Sequence, residues 1–208
     1  MNTQQENPLE QLQHIKSMME KSTRFVSLSG WSGIAAGLCA LVGVYLAYGK
    51  IYTVSSKSIY DNSMPNREAL IIELMFIAIG VFIVALVFSI IFTYLQSKKQ
   101  QKPIWDTTVR RLLFNTLLPI LVGGIFILKL VENNYIEFIS SACLLFYGLG
   151  LVNGSKYTLG EVRYLGYSQI GLGIISLFFL HQGLLFWSLG FGVLHIIYGI
   201  AMWKKYGY

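Results

Sequence analysis

Six stretches of the chain are nearly unbroken apolar runs of helix length separated by polar segments: residues 25–48, 70–95, 112–131, 135–153, 164–181 and 183–203. A hydrocarbon core about 30 Å thick takes roughly 20 apolar residues of helix to cross, and each run comes near that length. The pattern predicts an all-α fold, a polytopic transmembrane helical bundle of about six spans in one domain over residues 25–208. A soluble helical protein would show one polar face per helix, and these runs hold too few polar residues. A β-barrel would alternate polar and apolar positions over segments of about 10 residues, and residues 112–130 do not. Glu137 at the start of the fourth run and Gln169 inside the fifth leave a count of four or five open.

Residues 1–24 form a polar leader. Asn7, Pro8 and Glu10 fit the N-cap, N1 and N3 positions of a helix, where side-chain oxygens satisfy the free first-turn amides. A helix over residues 8–21 follows, with Leu9, Leu12, Ile15, Met18 and Met19 on one face. Such a helix lies on the membrane surface, packs across the bundle or docks on another protein. The leader lacks the short apolar core and small-residue cleavage site of a signal peptide, which makes the first span its own insertion signal. Among the connections, residues 49–69 are long enough to cap the bundle. His181, Gln182 and Gly183 predict a turn so tight that the last two spans must be antiparallel neighbours.

Charge sets the expected orientation. With the N-terminus in the cytoplasm, twelve basic residues fall on that side: Lys16, Lys21, Arg24, Lys98, Lys99, Lys102, Arg110, Arg111, Lys156, Arg163, Lys204 and Lys205. Lys50, Lys57, Arg67 and Lys129 fall opposite. This bias over short loops places both termini in the cytoplasm. The net charge of +6 is therefore assigned to contact with anionic lipid rather than to nucleic acid. The composition agrees, at 54% hydrophobic and 12% charged residues against roughly 25% charged in soluble domains.

Chemistry in such a chain is sought among polar residues within the spans, where burial is costly. Glu73, Lys129 and Glu137 lie near helix ends as interfacial anchors. Asn115, Asn153, Gln169, His195 and Tyr198 lie in the cytoplasmic half, as a tentative ligand pocket or as interhelical hydrogen bonds. His14, His181 and His195 are too scattered for a metal or haem, and Cys39 and Cys143 sit mid-span as small apolar groups. No nucleophile has an activating base at matching depth, so neither an enzyme nor a cofactor is expected. Pro119 with Gly123 and Gly124 predicts a bend in the third span. Gly33/Gly37 and Gly150/Gly154 form GxxxG pairs, which serve packing within the chain or a homodimer.

Residues 153–158 (NGSKYT), 163–166 (RYLG) and 190–199 (GFGVLHIIYG) resemble an uncharacterised family of small six-helix bacterial integral membrane proteins with no known activity. The similarity runs from about Trp105 to the C-terminus, with an echo at residues 18–30 (MMEKSTRFVSLSG). It implies a bacterial cytoplasmic membrane. Genes for winged-helix transcriptional regulators commonly neighbour members of the family, which implies a soluble cytoplasmic partner. An acidic residue is commoner there at the position of Gln169, so a proton relay is not implied for this chain.

Two functions from different classes follow. The first is a non-enzymatic regulatory or scaffold protein presenting the leader helix, Lys98, Lys99, Lys102, Arg110, Arg111, Lys156, Glu161 and Arg163 to a soluble partner. The second is a small transporter or channel component built on the inner polar residues, although the two halves of the chain show no clear inverted repeat.

Overall fold

The computed structural model describes residues 29–54, 67–99 and 105–206, and every element among them is helical. The leader helix, Lys102 and most of the 49–69 connection lie outside the described residues. The elements are α1 (Gly30–Val54), α2 (Arg67–Lys99), α3 (Thr107–Glu132), α4 (Ile139–Gly154), α5 (Glu161–Ser176), α6 (Gly183–Trp187), a π-helical stretch (Ser188–Leu194) and α7 (His195–Tyr206). The last three follow one another without a break and are called here the last span.

Among the described residues, five stretches are long and apolar enough to cross a membrane: Gly30–Tyr52, Arg67–Lys99, Thr107–Glu132, Ile136–Tyr157 and Leu180–Tyr206. The fifth predicted run is the one that falls short. Helix α5 has 16 residues, about 24 Å at helical rise, and ends at Ser176 rather than near His181. Ser176 Oγ turns back to donate to Gly173 O at 2.8 Å and pairs with Ser141 Oγ of α4 at 2.6 Å. The next three amides bond tightly to Ile174, Ile175 and Ser176 carbonyls, which ends the helix in an overwound turn. The turn into α6 is thus longer than the three residues the sequence suggested. The antiparallel packing of α5 against the last span is present nonetheless.

Two sets of three helices make the bundle. Helix α1 lies between α2 and the last span, α4 lies between α3 and α5, and the last span joins the sets by touching α4 and α5. Glycine sets these contacts, because helices without a hydrophobic drive must gain from close backbone approach. A Cβ on Gly30 would stand 2.5 Å from Gly199 O, and one on Gly37 would stand 2.7 Å from Gly192 O. Across α4 and α5, Gly148 and Gly166 face each other's carbonyls at 2.9 and 3.0 Å by the same measure. Gly150 and Gly154 meet Thr116 of α3. Both GxxxG pairs therefore serve contacts inside the chain.

Helices α2 and α3 form the edges, and α2 has no buried residue in its most apolar stretch. Phe76, Phe82, Ile83 and Ile90 of α2 are all exposed, more than a water-soluble surface usually carries in one patch. This exposure is compatible with a multi-pass membrane protein. One end of the bundle closes through paired charges. Lys50 meets Glu73 at 3.0 Å, Lys129 meets Glu132 at 2.6 Å, and buried Arg67 donates from Nη1 to Asn134 Oδ1 at 2.9 Å. Asn134 takes a positive φ of 63° in the α3–α4 turn, a conformation asparagine tolerates better than most residues.

Candidate functional site

The π-helical stretch organises the centre of the molecule. A π turn widens the helix and displaces the usual carbonyl partners, and here Gly190 O receives side-chain donors. Gln169 of α5 donates from Nε2 at 2.8 Å, and His195 Nδ1 lies 3.1 Å away. A carbonyl only accepts, so Nδ1 carries the imidazole proton. The lone pair on Nε2 is left to accept from Tyr147 O–H of α4 at 2.8 Å. The tautomer is inferred from this network, and it makes the 3.5 Å approach of Gln169 Nε2 to Nδ1 a contact between two donors. Gly190 is needed for the geometry, because a Cβ there would stand 2.7 Å from Gln169 Oε1 and overlap Leu144.

Gln169 is fully buried and His195 is 6% exposed. The rings of Tyr147, Phe191 and Trp187 continue the cluster, with centroids 5.2 Å apart for Tyr147–Phe191 and 5.0 Å for Trp187–Phe191. Gln169 Oε1 and Tyr198 OH are buried without a hydrogen-bond partner among the described residues. The network is directional and ends on a carbonyl that cannot pass a proton onward. It is suited to holding α4, α5 and the last span in register.

The five inner residues named from the sequence therefore separate into groups. Gln169 and His195 come together. Tyr198, one turn further along α7, lays its ring against Gly33 of α1. Asn115 and Asn153 form their own contact between α3 and α4, Asn153 Nδ2 donating to Asn115 O at 3.0 Å while Asn115 Nδ2 donates to Arg111 O at 2.8 Å. No hydrogen bond joins this pair to His195. Tyr147 and the Gly190 carbonyl were missed. Depth could have found the tyrosine: it lies seven residues before the end of α4, as Gln169 lies eight after the start of α5, each on the order of 10 Å from the same end.

A cavity of about 200 Å³ lies between α1, α2, α4 and α6, with Val44, Ala47, Ile71, Leu74, Ile139 and Trp187 among its walls. Neither Gln169 nor His195 reaches it. Among the described residues, no three His, Cys, Asp or Glu side chains gather to hold a metal ion.

The end opposite the paired charges has a different character. Lys98, Lys99, Arg110, Arg111, Lys156, Arg163, Lys204 and Lys205 collect there, all exposed, with only Asp106 and Glu161 as acids among the described residues. Asp106 caps α3 by accepting from Thr107 N–H at 2.6 Å, and this bond holds its carboxyl below the usual range. Lys156 reaches Asn153 Oδ1 at 3.4 Å, and Arg163 Nε donates to Ser155 Oγ at 3.3 Å. Glu161 is engaged by Lys205 Nζ and by Tyr206 OH at 3.1 Å, tying the start of α5 to the end of α7.

Burial pushes the Glu161 carboxyl up, but the bonds from Lys205, its own amide and Tyr206 outweigh burial and hold it below its ordinary value of 4.5. A lowered carboxyl contributes its full stabilisation above the unfolded value and loses it as pH falls through the folded one. Because Lys205 is largely exposed, solvent screens the ion pair and its contribution is small. Thermal unfolding in detergent should show Glu161→Gln slightly less stable than wild type at neutral pH, with the gap closing below about pH 4.5. A gap independent of pH would mean that the carboxylate is not what Lys205 and Tyr206 recognise.

Comparison with protein-family models, curated proteins and solved structures finds no match to this chain.

Proposed function

We propose that the chain is a non-enzymatic, multi-pass protein of the bacterial cytoplasmic membrane that presents its basic end to a soluble cytoplasmic partner. The observation carrying this reading is the charge asymmetry of the bundle. Among the described residues, eight exposed cations share two carboxylates at one end, whereas the cations of the other end are matched by Glu68, Glu73, Glu132 and Glu137. Basic segments are retained on the cytoplasmic side during insertion, which puts both termini there. A surplus of exposed cations on a rigid platform steers an acidic partner and fixes its orientation. The scaffold is well suited to that task, because glycine contacts and the Tyr147–His195–Gly190–Gln169 network leave the spans little freedom.

Crosslinking in native membranes, purification through a C-terminal tag in mild detergent and mass spectrometry test the reading. A soluble protein should co-purify in stoichiometric amount, and Arg110→Glu with Arg111→Glu should reduce its recovery about tenfold or more, as expected for charge reversal in a docking face. A chain that purifies alone while retaining a small molecule would overturn it. That outcome would favour a second reading, a transporter component, supported by the convergence of Gln169 and His195 beside two unpartnered buried polar atoms. Under that reading, flux rather than partner recovery would respond to His195→Ala.

A further inference from the structure

At the basic end, the start of α1 and the end of α2 enclose an open groove of about 560 Å³ lined by Ser29, Trp31, Phe92, Gln96, Lys98 and Lys99, with Leu95 between them. Ligand pockets span about 300–1,000 Å³, so the space suits a headgroup. Its lining is of two kinds. Trp31, Phe92 and Leu95 make an apolar side that continues into the exposed apolar face of α2, including Phe88 and Ile91. Lys98 and Lys99, one turn beyond Leu95 at the end of α2, supply two exposed cations. Gln96 is only 6% exposed, lines the groove and makes no hydrogen bond among the described residues. Its side-chain amide is thus left to bond water or a ligand in the groove.

The depth of the groove is marked by tryptophan. Trp31 packs edge-on against Trp203 of α7, with centroids 6.3 Å apart and planes at 62°, and both rings are about half exposed. Such pairs sit at the headgroup level, where an amphipathic ring meets both apolar and wet surroundings. The positive end of the α1 macrodipole also opens here, with Ser29 Oγ accepting from Trp31 N–H at 3.3 Å, and an anion beside it is favoured.

We propose that this groove seats the phosphate headgroup of an anionic phospholipid, with Lys98 and Lys99 on the phosphate, the Gln96 amide on a polar oxygen of the headgroup and Trp31 and Phe92 against the first acyl carbons. A soluble acidic segment would match the two lysines but would leave the apolar wall and its continuity with the lipid-facing side of α2 without a purpose. The inference rests on the membrane reading of the fold and goes beyond the docking face, with which it shares only the two lysines.

Tryptophan fluorescence tests it in vesicles of phosphatidylcholine containing the full chain and a minor fraction of brominated phosphatidylglycerol or, in parallel, of brominated phosphatidylcholine. The brominated phosphatidylglycerol should quench more strongly at equal fraction. In Lys98→Gln with Lys99→Gln, the fraction giving half the excess should rise about tenfold or more, as expected for the loss of two interfacial cations. Lys156→Gln, a cation at the same end outside the groove, should leave it unchanged. Equal quenching of wild type by both lipids overturns the site while leaving the membrane reading intact, and quenching by neither overturns both. An equal shift in the double variant and in Lys156→Gln also overturns it, because diffuse attraction would then explain the excess. Equal quenching combined with retention of soluble polyglutamate by wild type, but not by the double variant, would assign the groove to an acidic protein segment instead.

Discussion

Gly199→Val should separate α1 from the last span and cost about 3 kcal/mol, near the upper end of overpacking penalties of roughly 1–3 kcal/mol. The reason is the nature of the neighbours. A Cβ at position 199 would lie 2.6 Å from Gly30 O and 2.6 Å from Ile34 N, and both atoms belong to backbone that cannot rotate away. Relief requires α1 to move, which would open the Trp31–Trp203 contact and the approach of Gly37 to Gly192. Gly171→Val is the control, since nothing lies within 4 Å of a Cβ there, and substitutions away from packed contacts usually stay within about 0.5 kcal/mol. Unfolding in mixed micelles should rank wild type and Gly171→Val together and Gly199→Val well below. Equal losses in both variants would show that helix flexibility, and not the α1 contact, is what glycine provides.

His195→Ala should cost about 2–4 kcal/mol, combining the cavity left by the ring with a buried Tyr147 hydroxyl deprived of its acceptor. Gly190 O would keep its bond from Gln169, so the loss falls mainly on the Tyr147 side. Tyr147→Phe removes the hydroxyl alone and should cost about 1 kcal/mol, in line with single hydrogen bonds between membrane helices. The two changes should not add. Once the imidazole is gone, removing the hydroxyl deletes an orphan rather than a bond, so the double variant should be no less stable than His195→Ala. Strict additivity would mean that the 2.8 Å contact contributes nothing beyond packing, and His195 would then have to be explained by shape.

Much of the architecture was readable in advance because it depends on solvent and on chain-local composition. The apolar run at residues 70–95 is hydrophobic on all sides, and α2 accordingly lies at the edge with every side but one exposed. The weak spans behaved differently from each other. Glu137 did not prevent the fourth, because it falls in a 3-10 turn, Ile136–Phe138, ahead of α4. The fifth ended early for a reason no hydropathy average contains, the serine back-bond at Ser176 and its partner on α4. In the site, residue type and depth pointed to Gln169 and His195 but could not separate them from Asn115 and Asn153, which lie on other helix faces. Tyr147 was invisible as a partner because a tyrosine in an apolar run usually reads as packing.

By itself, then, the sequence determined that the chain is helical, that it is apolar over lengths suited to a bilayer and that its cations gather in alternate connections. Those properties follow from hydrophobicity and charge summed along contiguous residues. Only the tertiary structure decided which glycines face one another, that the last span contains a π turn aiming His195 at Gly190 O and Tyr147, and that Gln96, Trp31 and the Lys98–Lys99 pair share one groove. These depend on the rotation of each helix about its axis and on distances of a few ångströms between residues far apart in the chain, quantities that local composition does not encode.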